Sequence, residues 1–182
     1  MASENWRDAL PKKVLVLKIL VGALFSGCLV MLAVMLGVSA SFDPSPDLEI
    51  LVYVGLAVAA AALFARAVVP ALLLAAGRRS ILAKLRKEAE NRSEGTRSPD
   101  FDALENEAAN HLAAMLHGKT LVGAAILEGA AMLSILLYLF VRSPISLAAA
   151  VVLAFSILLS FPTFGRVSAW IEDQMQLLKD EL

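Results

Sequence analysis

Four long apolar runs dominate the chain, at roughly 14–38, 50–77, 120–141 and 144–165. Each has the ~20 residues that a helix rising 1.5 Å per residue needs to cross ~30 Å of hydrocarbon. A segment in lipid must satisfy its own backbone polar groups, so the runs are expected to be helices. The Ala and Leu content of the second and fourth agrees. The pattern predicts an all-α polytopic membrane protein with four transmembrane helices. Its expected parts are an N-terminal segment 1–13, a first transmembrane hairpin 14–77 and a helical hairpin 78–119 outside the membrane. A second transmembrane hairpin 120–165 and an amphipathic tail 166–182 follow.

The polar segments set the direction of threading. Residues 39–49 hold three acids and no base, and the short link near 142–144 holds only Arg142. The segment 77–119 carries Arg78, Arg79, Lys84, Arg86, Lys87, Arg92, Arg97 and Lys119, and the N-terminus adds Arg7, Lys12 and Lys13. Positive loops stay cytoplasmic, so both termini and the middle segment are expected inside, in a bacterial cytoplasmic membrane. The first run is too long for a cleaved signal and reads as a retained anchor, although "VSA" at 38–40 resembles a cleavage site. The last four residues spell "KDEL". That retrieval address is read in a lumen, whereas this topology puts the tail in the cytosol.

Outside the runs the pattern turns amphipathic. "GRRSILAKLRKEAEN" continues the second run as a basic helix with Ile81, Leu82 and Leu85 on one side. Gly95 and Pro99 break it, and Ser98 is a plausible N-cap. "DFDALENEAANHLAAMLHG" follows as an acidic helix whose Phe101, Leu104, Ala108, Leu112 and Met115 share a face. A basic helix followed by an acidic one suggests an antiparallel hairpin. In the tail, Val167, Trp170, Ile171, Met175, Leu178 and Leu182 line one face. Its other face is acidic, which suits protein better than anionic lipid, with the basic 78–92 helix as the obvious seat and Trp170 an alternative headgroup anchor.

An internal likeness links the first and third runs. Shifted so that Lys18 falls on Lys119, "LVGA" at 20–23 falls on "LVGA" at 121–124, and Met31, Leu32 and Leu36 fall on Met132, Leu133 and Leu137. The second and fourth runs match less well, but each has a late proline, Pro70 and Pro162. A duplication would be of the parallel kind, two tandem hairpins related about the membrane normal.

Composition supports a bilayer as solvent: 59% of residues are hydrophobic, 18% are charged, and the mean hydropathy is +0.73. The net charge of −1 selects no partner. The single cysteine, Cys28, excludes an internal disulfide and reads as a packing residue. No nucleotide-binding glycine loop, Cys/His metal spacing or Ser/His/Asp set is present. His111 and His117 are not on one helical face, and Glu107 with His111 reads as an exposed helix pair. No cofactor is expected. The bases Arg78, Arg79, Lys84, Arg86 and Lys87 could attract anionic lipid headgroups. Nucleic acid is not expected, because the neighbouring acidic helix opposes it.

Charges inside the runs are the candidate functional groups. Lys18 is close enough to the cytoplasmic end to snorkel. Arg66 lies twelve residues before Arg78, and Glu128 nine after Lys119, so on antiparallel helices the two fall at similar depth. A partner offsets the ~2.5–3.5 kcal/mol cost of a charge at mid-bilayer, and the expectation is an Arg66–Glu128 ion pair. Pro70 cannot donate to the carbonyl of Arg66 and leaves an acceptor there. Ala125 with Gly129, and Ala130 with Ser134, have the small-xxx-small spacing that lets helices approach closely. Ser156, Ser160 and Thr163 mark one face of the fourth run and could hydrogen-bond across helices.

"AILEGAAMLSILLYLF", residues 125–140, resembles the carboxylate-bearing helix of the rotary ATPase proteolipid, or c subunit. The likeness covers about sixteen of the 182 residues and carries over Glu128 alone. It implies an ion- or proton-binding carboxylate. The family's repeated glycine pattern is missing from 14–38, and the large polar middle segment is foreign to it.

Two functions are therefore expected in order. The first is a non-enzymatic, self-associating structural or accessory subunit held by the Arg66–Glu128 pair. Its partners would be the bilayer and a second copy or another membrane protein. The second is a proton- or cation-translocating subunit using Glu128.

Overall fold

The computed structural model describes residues 6–39, 41, 49–93 and 101–180. Their side chains are described except at 78, 81, 84–93, 101–105 and 178–180. Every element is a helix: α1 (Trp6–Ser39), α2 (Ile50–Ser93), α3 (Phe101–Val141), α4 (Pro144–Leu158) and α5 (Phe164–Asp180). The spans Trp6–Ser39, Ile50–Gly77 and Asn106–Val141 are long and apolar enough to cross a membrane. The chain is thus a helical, membrane-embedded protein.

α2 and α3 each run unbroken between apolar and polar sequence, as expected where the basic segment continues the second run. The breaking signals Gly95, Ser98 and Pro99 lie outside the described residues. One expectation about boundaries needs correction: the fourth run is not one helix over 144–165. α4 has 15 residues, about 22 Å, and stops at Leu158. Pro162 has no N–H for the next helical bond, and it disfavours helical backbone at Phe161. The chain turns through Leu159–Thr163, and the Thr163 carbonyl then accepts the Val167 N–H at 3.1 Å to open α5.

The helices form two units. The first comprises 1–17, 71–119 and 162–182, and the second 18–70 and 120–161.

In the first unit the buried side chains are Trp6, Leu10 and Val14 of α1, Ala108, Ala109, Leu112 and Ala113 of α3, and Val167, Ile171 and Met175 of α5. Leu82, Met115, Leu116 and Trp170 pack against them. The i, i+4 spacing within α1 and α5 puts each set on one stripe. The tail is therefore seated on protein, as its acidic outer face suggested. Among the described side chains its seat is formed by α1 and α3, with Leu82 contributed by the basic part of α2, and Arg7 faces Glu172 at 3.5 Å; of the bases in 78–92 only Arg79 has a described side chain. Trp170 is half-buried and packs against this core.

Polar contacts register α1 against α3. Trp6 N–H donates to Asn106 Oδ1 at 3.1 Å, satisfying one of the orphan donors at the start of α1. Lys13 Nζ donates to Asn110 Oδ1 at 2.7 Å. The His117 ring bridges the Ala113 carbonyl, through Nδ1 at 2.9 Å, and the Lys13 carbonyl, through Nε2 at 2.8 Å. Gly77 lets α2 approach, since a Cβ there would fall 2.8 Å from Met115 Sδ.

In the second unit α1 and α3 run in the same direction, while α2 runs against α3. α3 makes most of the contacts: 39% of its most apolar stretch is buried, against 11% for α1 and 17% for α2. The buried set is rich in small residues, including Ala59, Ala62, Ala124, Ala130, Ala131, Ser134, Ser146, Ala150 and Ala154. Glycines mark the close approaches of α2 and α3: Gly55 meets Leu137, and Gly123 meets the stems of Arg66 and Pro70. The α3–α4 corner is tight. Arg142 adopts a left-handed conformation (φ 51°), its N–H closes on the Tyr138 carbonyl at 2.8 Å, and Pro144 opens α4. Its guanidinium donates to the Ser39 carbonyl, capping the last turn of α1.

Candidate functional site: the intramembrane charges

The expected Arg66–Glu128 pair is not made. Arg66 Nη2 donates to Ser160 Oγ at 2.6 Å, and no ion pair joins Arg66 to Glu128 among the described residues. The reason is angular. Gly123 faces Arg66, and Glu128 follows five residues later, about 140° further round α3 at 100° per residue. Glu128 is thus turned to another side of α3 and lies about 7.5 Å further along its axis than the point Arg66 faces. Glu128 instead faces α1, where its Oε1 lies 3.4 Å from the position a Cβ on Gly27 would take.

What neutralises Arg66 is the end of α4. The last carbonyls of a helix have no intrahelical donors and carry partial negative charge. Here Leu159 N–H goes to Phe155 at 3.0 Å, Ser160 N–H to Ile157 at 3.0 Å and Phe161 N–H to Leu158 at 3.1 Å. The switch of the Ser160 N–H to Ile157 deprives the Ser156 carbonyl of its i+4 donor. The Ser160 hydroxyl replaces it, donating to that carbonyl at 2.9 Å while accepting from Arg66. A cation, a hydroxyl and a helix terminus thus form one chain of hydrogen bonds. Such placement stabilises by about 0.3–2 kcal/mol, more where burial is greater.

The other polar candidates divide by position. Ser156 Oγ donates within its own helix to the Val152 carbonyl at 2.8 Å, and buried Ser134 Oγ to the Ala130 carbonyl at 2.9 Å. Of the three residues expected to bond across helices, only Ser160 does so; Thr163 lies exposed at the start of α5. Ala130 is buried with Ser134. Ala125 and Gly129 are exposed, with nothing within 4 Å of a Cβ built on Gly129. Arg79 is exposed, while the side chains of Arg78, Lys84, Arg86 and Lys87 lie outside the described residues.

Glu128 is half-exposed at the edge of the α1–α3 contact, and no hydrogen bond or ion pair reaches its carboxyl group among the described residues. Cys28 is buried beside it. No group of three His, Cys, Asp or Glu that could hold a metal ion occurs among the described residues.

The helix-capping role of Ser160, expected only to bond across helices, and the position of Gly27 escaped the sequence reading. A serine pair four apart just before Pro162 is the signal for the first: a helix end with its own hydroxyl cap. Gly27 could have been found from the internal likeness, because the shift that sets Lys18 on Lys119 sets Gly27 on Glu128. Neither a protein-family model, nor a curated protein, nor a solved structure matches this chain.

Proposed function

We propose that the chain is a multi-pass structural or accessory subunit of a membrane assembly, self-associating and without catalytic chemistry of its own. The observation that supports this is the use made of polar groups among the apolar helices. Arg66, Ser160 and Arg142 all fix one helix against another. In this reading the chain crosses the membrane four times. α4 extended by its hydrogen-bonded turn to Phe161 spans about 27 Å, close to the hydrocarbon thickness. Both termini and the first unit are cytoplasmic, following the bases of the N-terminus and of 77–119. Anionic lipid at Arg78, Arg79, Lys84, Arg86 and Lys87 belongs to the same proposal.

A second reading, proton or cation translocation at Glu128, is favoured by one observation: the carboxyl group has no hydrogen-bond or ion-pair partner among the described residues. Glu128→Gln separates the two. The structural reading expects self-association in detergent to weaken with no proton flux in liposomes from either protein. Translocation requires flux in the unsubstituted protein that Gln abolishes while assembly is kept.

A further inference from the structure

The partner that Glu128 lacks among the described residues of its own chain, we propose, is Ser26 of a second copy, so that the carboxyl site is completed only in the oligomer. This rests on the self-association reading and names its contact.

The first ground is the unmet hydrogen bonding of both groups. Glu128 is half-exposed in the most apolar part of α3, and Ser26 is exposed in the most apolar part of α1. Among the described residues no hydrogen bond reaches either side chain. Leaving a carboxyl group facing hydrocarbon costs several kcal/mol, and a hydroxyl can donate to it.

The second ground is depth. Copies inserted with one topology are related by rotation about the membrane normal, so a group in one copy meets only groups of equal depth in another. Glu128 lies against Gly27, the residue next to Ser26. The two unsatisfied groups are therefore level. They do not bond to each other within one chain, where Gly27 faces Glu128 and Ser26 is turned about 100° from Gly27.

The third ground is steric access. On α1, Gly22, Ser26, Ala33 and Gly37 fall within an arc of about 60°. Ser26, Ala33 and Gly37 are exposed, and nothing lies within 4 Å of a Cβ on Gly22 or Gly37. On α3, Ala125 and Gly129 are equally open beside Glu128. Two small-xxx-small faces at one depth allow backbones to approach closely enough for a short side chain such as Ser26 to reach across. The contact joins unlike faces, so it repeats round a ring or occurs twice in a dimer.

The test uses the full chain in membranes with Cys28→Ala to remove the native thiol. Ser26→Cys combined with Gly129→Cys should cross-link on oxidation well above a Phe64→Cys control, which is exposed at a similar level on α2. Ser26→Ala should lower self-association about three- to tenfold, the worth of one interhelical hydrogen bond in a bilayer. Cross-linking no greater than the control, or association unchanged by Ser26→Ala, overturns the proposal. If the native mass in detergent shows an oligomer while the cysteine pair stays unlinked, this contact falls and the accessory-subunit reading stands. A monomer under all conditions removes both.

Discussion

The two units differ most in what they expose and in how large a share of small residues they bury. In the first, the interior holds Trp6, Leu10, Leu112, Ile171 and Met175, while Arg7, Lys12, Glu107, Asn110, Glu172 and Asp173 face out. In the second, alanines and serines fill much of the interior, and Val30, Tyr53, Phe64, Val152 and Phe155 face out, each more than half exposed. Water drives large apolar groups inward, at about 25 cal/mol per Å². Lipid provides no such drive, so helices there associate by close backbone approach, which selects small residues for the interface. One chain thus records two solvents, and the change occurs partway along the continuous helices α1, α2 and α3.

The largest expected effect tests the water side of this contrast. Leu112→Ala removes a fully buried side chain from the centre of the first unit, where α1, α3 and α5 meet. It should destabilise that unit by about 2–5 kcal/mol. Hydrogen exchange of α5 amides in detergent should rise accordingly. If α5 exchange is unchanged, the tail does not depend on this core and the first unit is not a water-type fold.

The next effect tests the lipid side. Val30 is 63% exposed on α1. In water, an exposed valine changed to aspartate is nearly neutral, within about 0.5 kcal/mol. At a lipid-facing site the same change costs about 2.5–3.5 kcal/mol. Val30→Asp should therefore sharply lower the fraction inserted in membranes, whereas an acid added at exposed Asn110 should not. Equal tolerance at both positions would remove the solvent contrast.

The helical class and the three long apolar spans were legible because their signal is cumulative: twenty residues of one kind outvote any single exception. The end of α4 was not, although Pro162 was in view, because a late proline also occurs at Pro70, where α2 continues through it. What separates the two cases is the compensation available nearby, with Ser156 and Ser160 able to cap a broken end. The seat of the tail was half legible. Its apolar stripe was clear, whereas the partners of that stripe, Trp6 and Leu10 of α1 and Leu112 of α3, lie far from it in sequence. The intramembrane site was the least legible part. Depth follows from counting along a helix, but partnership also needs the angle round it, and that depends on which neighbours pack where. The internal likeness held more spatial information than its modest matches suggested. Contacts between α1 and α3 in the second unit fall near the same shift: Gly27 with Glu128 and Ser39 with Arg142.

The smallest effect sharpens the contrast where charge is concerned. In the first unit, Arg7 and Glu172 form an exposed ion pair with side chains 67% and 53% accessible, and water screens such a pair to little or no net stabilisation. In the second unit, Arg66 has no acidic partner among the described residues and bonds to Ser160 at the carbonyl end of α4. Ser160→Ala removes the link between cation and helix end and should cost about 1–2 kcal/mol in a detergent unfolding titration. Glu172→Ala should leave the same titration within about 0.5 kcal/mol of the starting protein. The exchanged pair Arg66→Glu with Glu128→Arg gives the decisive comparison. Were the two charges partners, the exchange would restore what either single change loses. With Arg66 held by a helix terminus, the exchange puts an acid against the negative end of α4, and the double variant should be no more stable than Arg66→Glu alone. Recovery to near the starting stability would return Glu128 to Arg66 and displace the helix-end account.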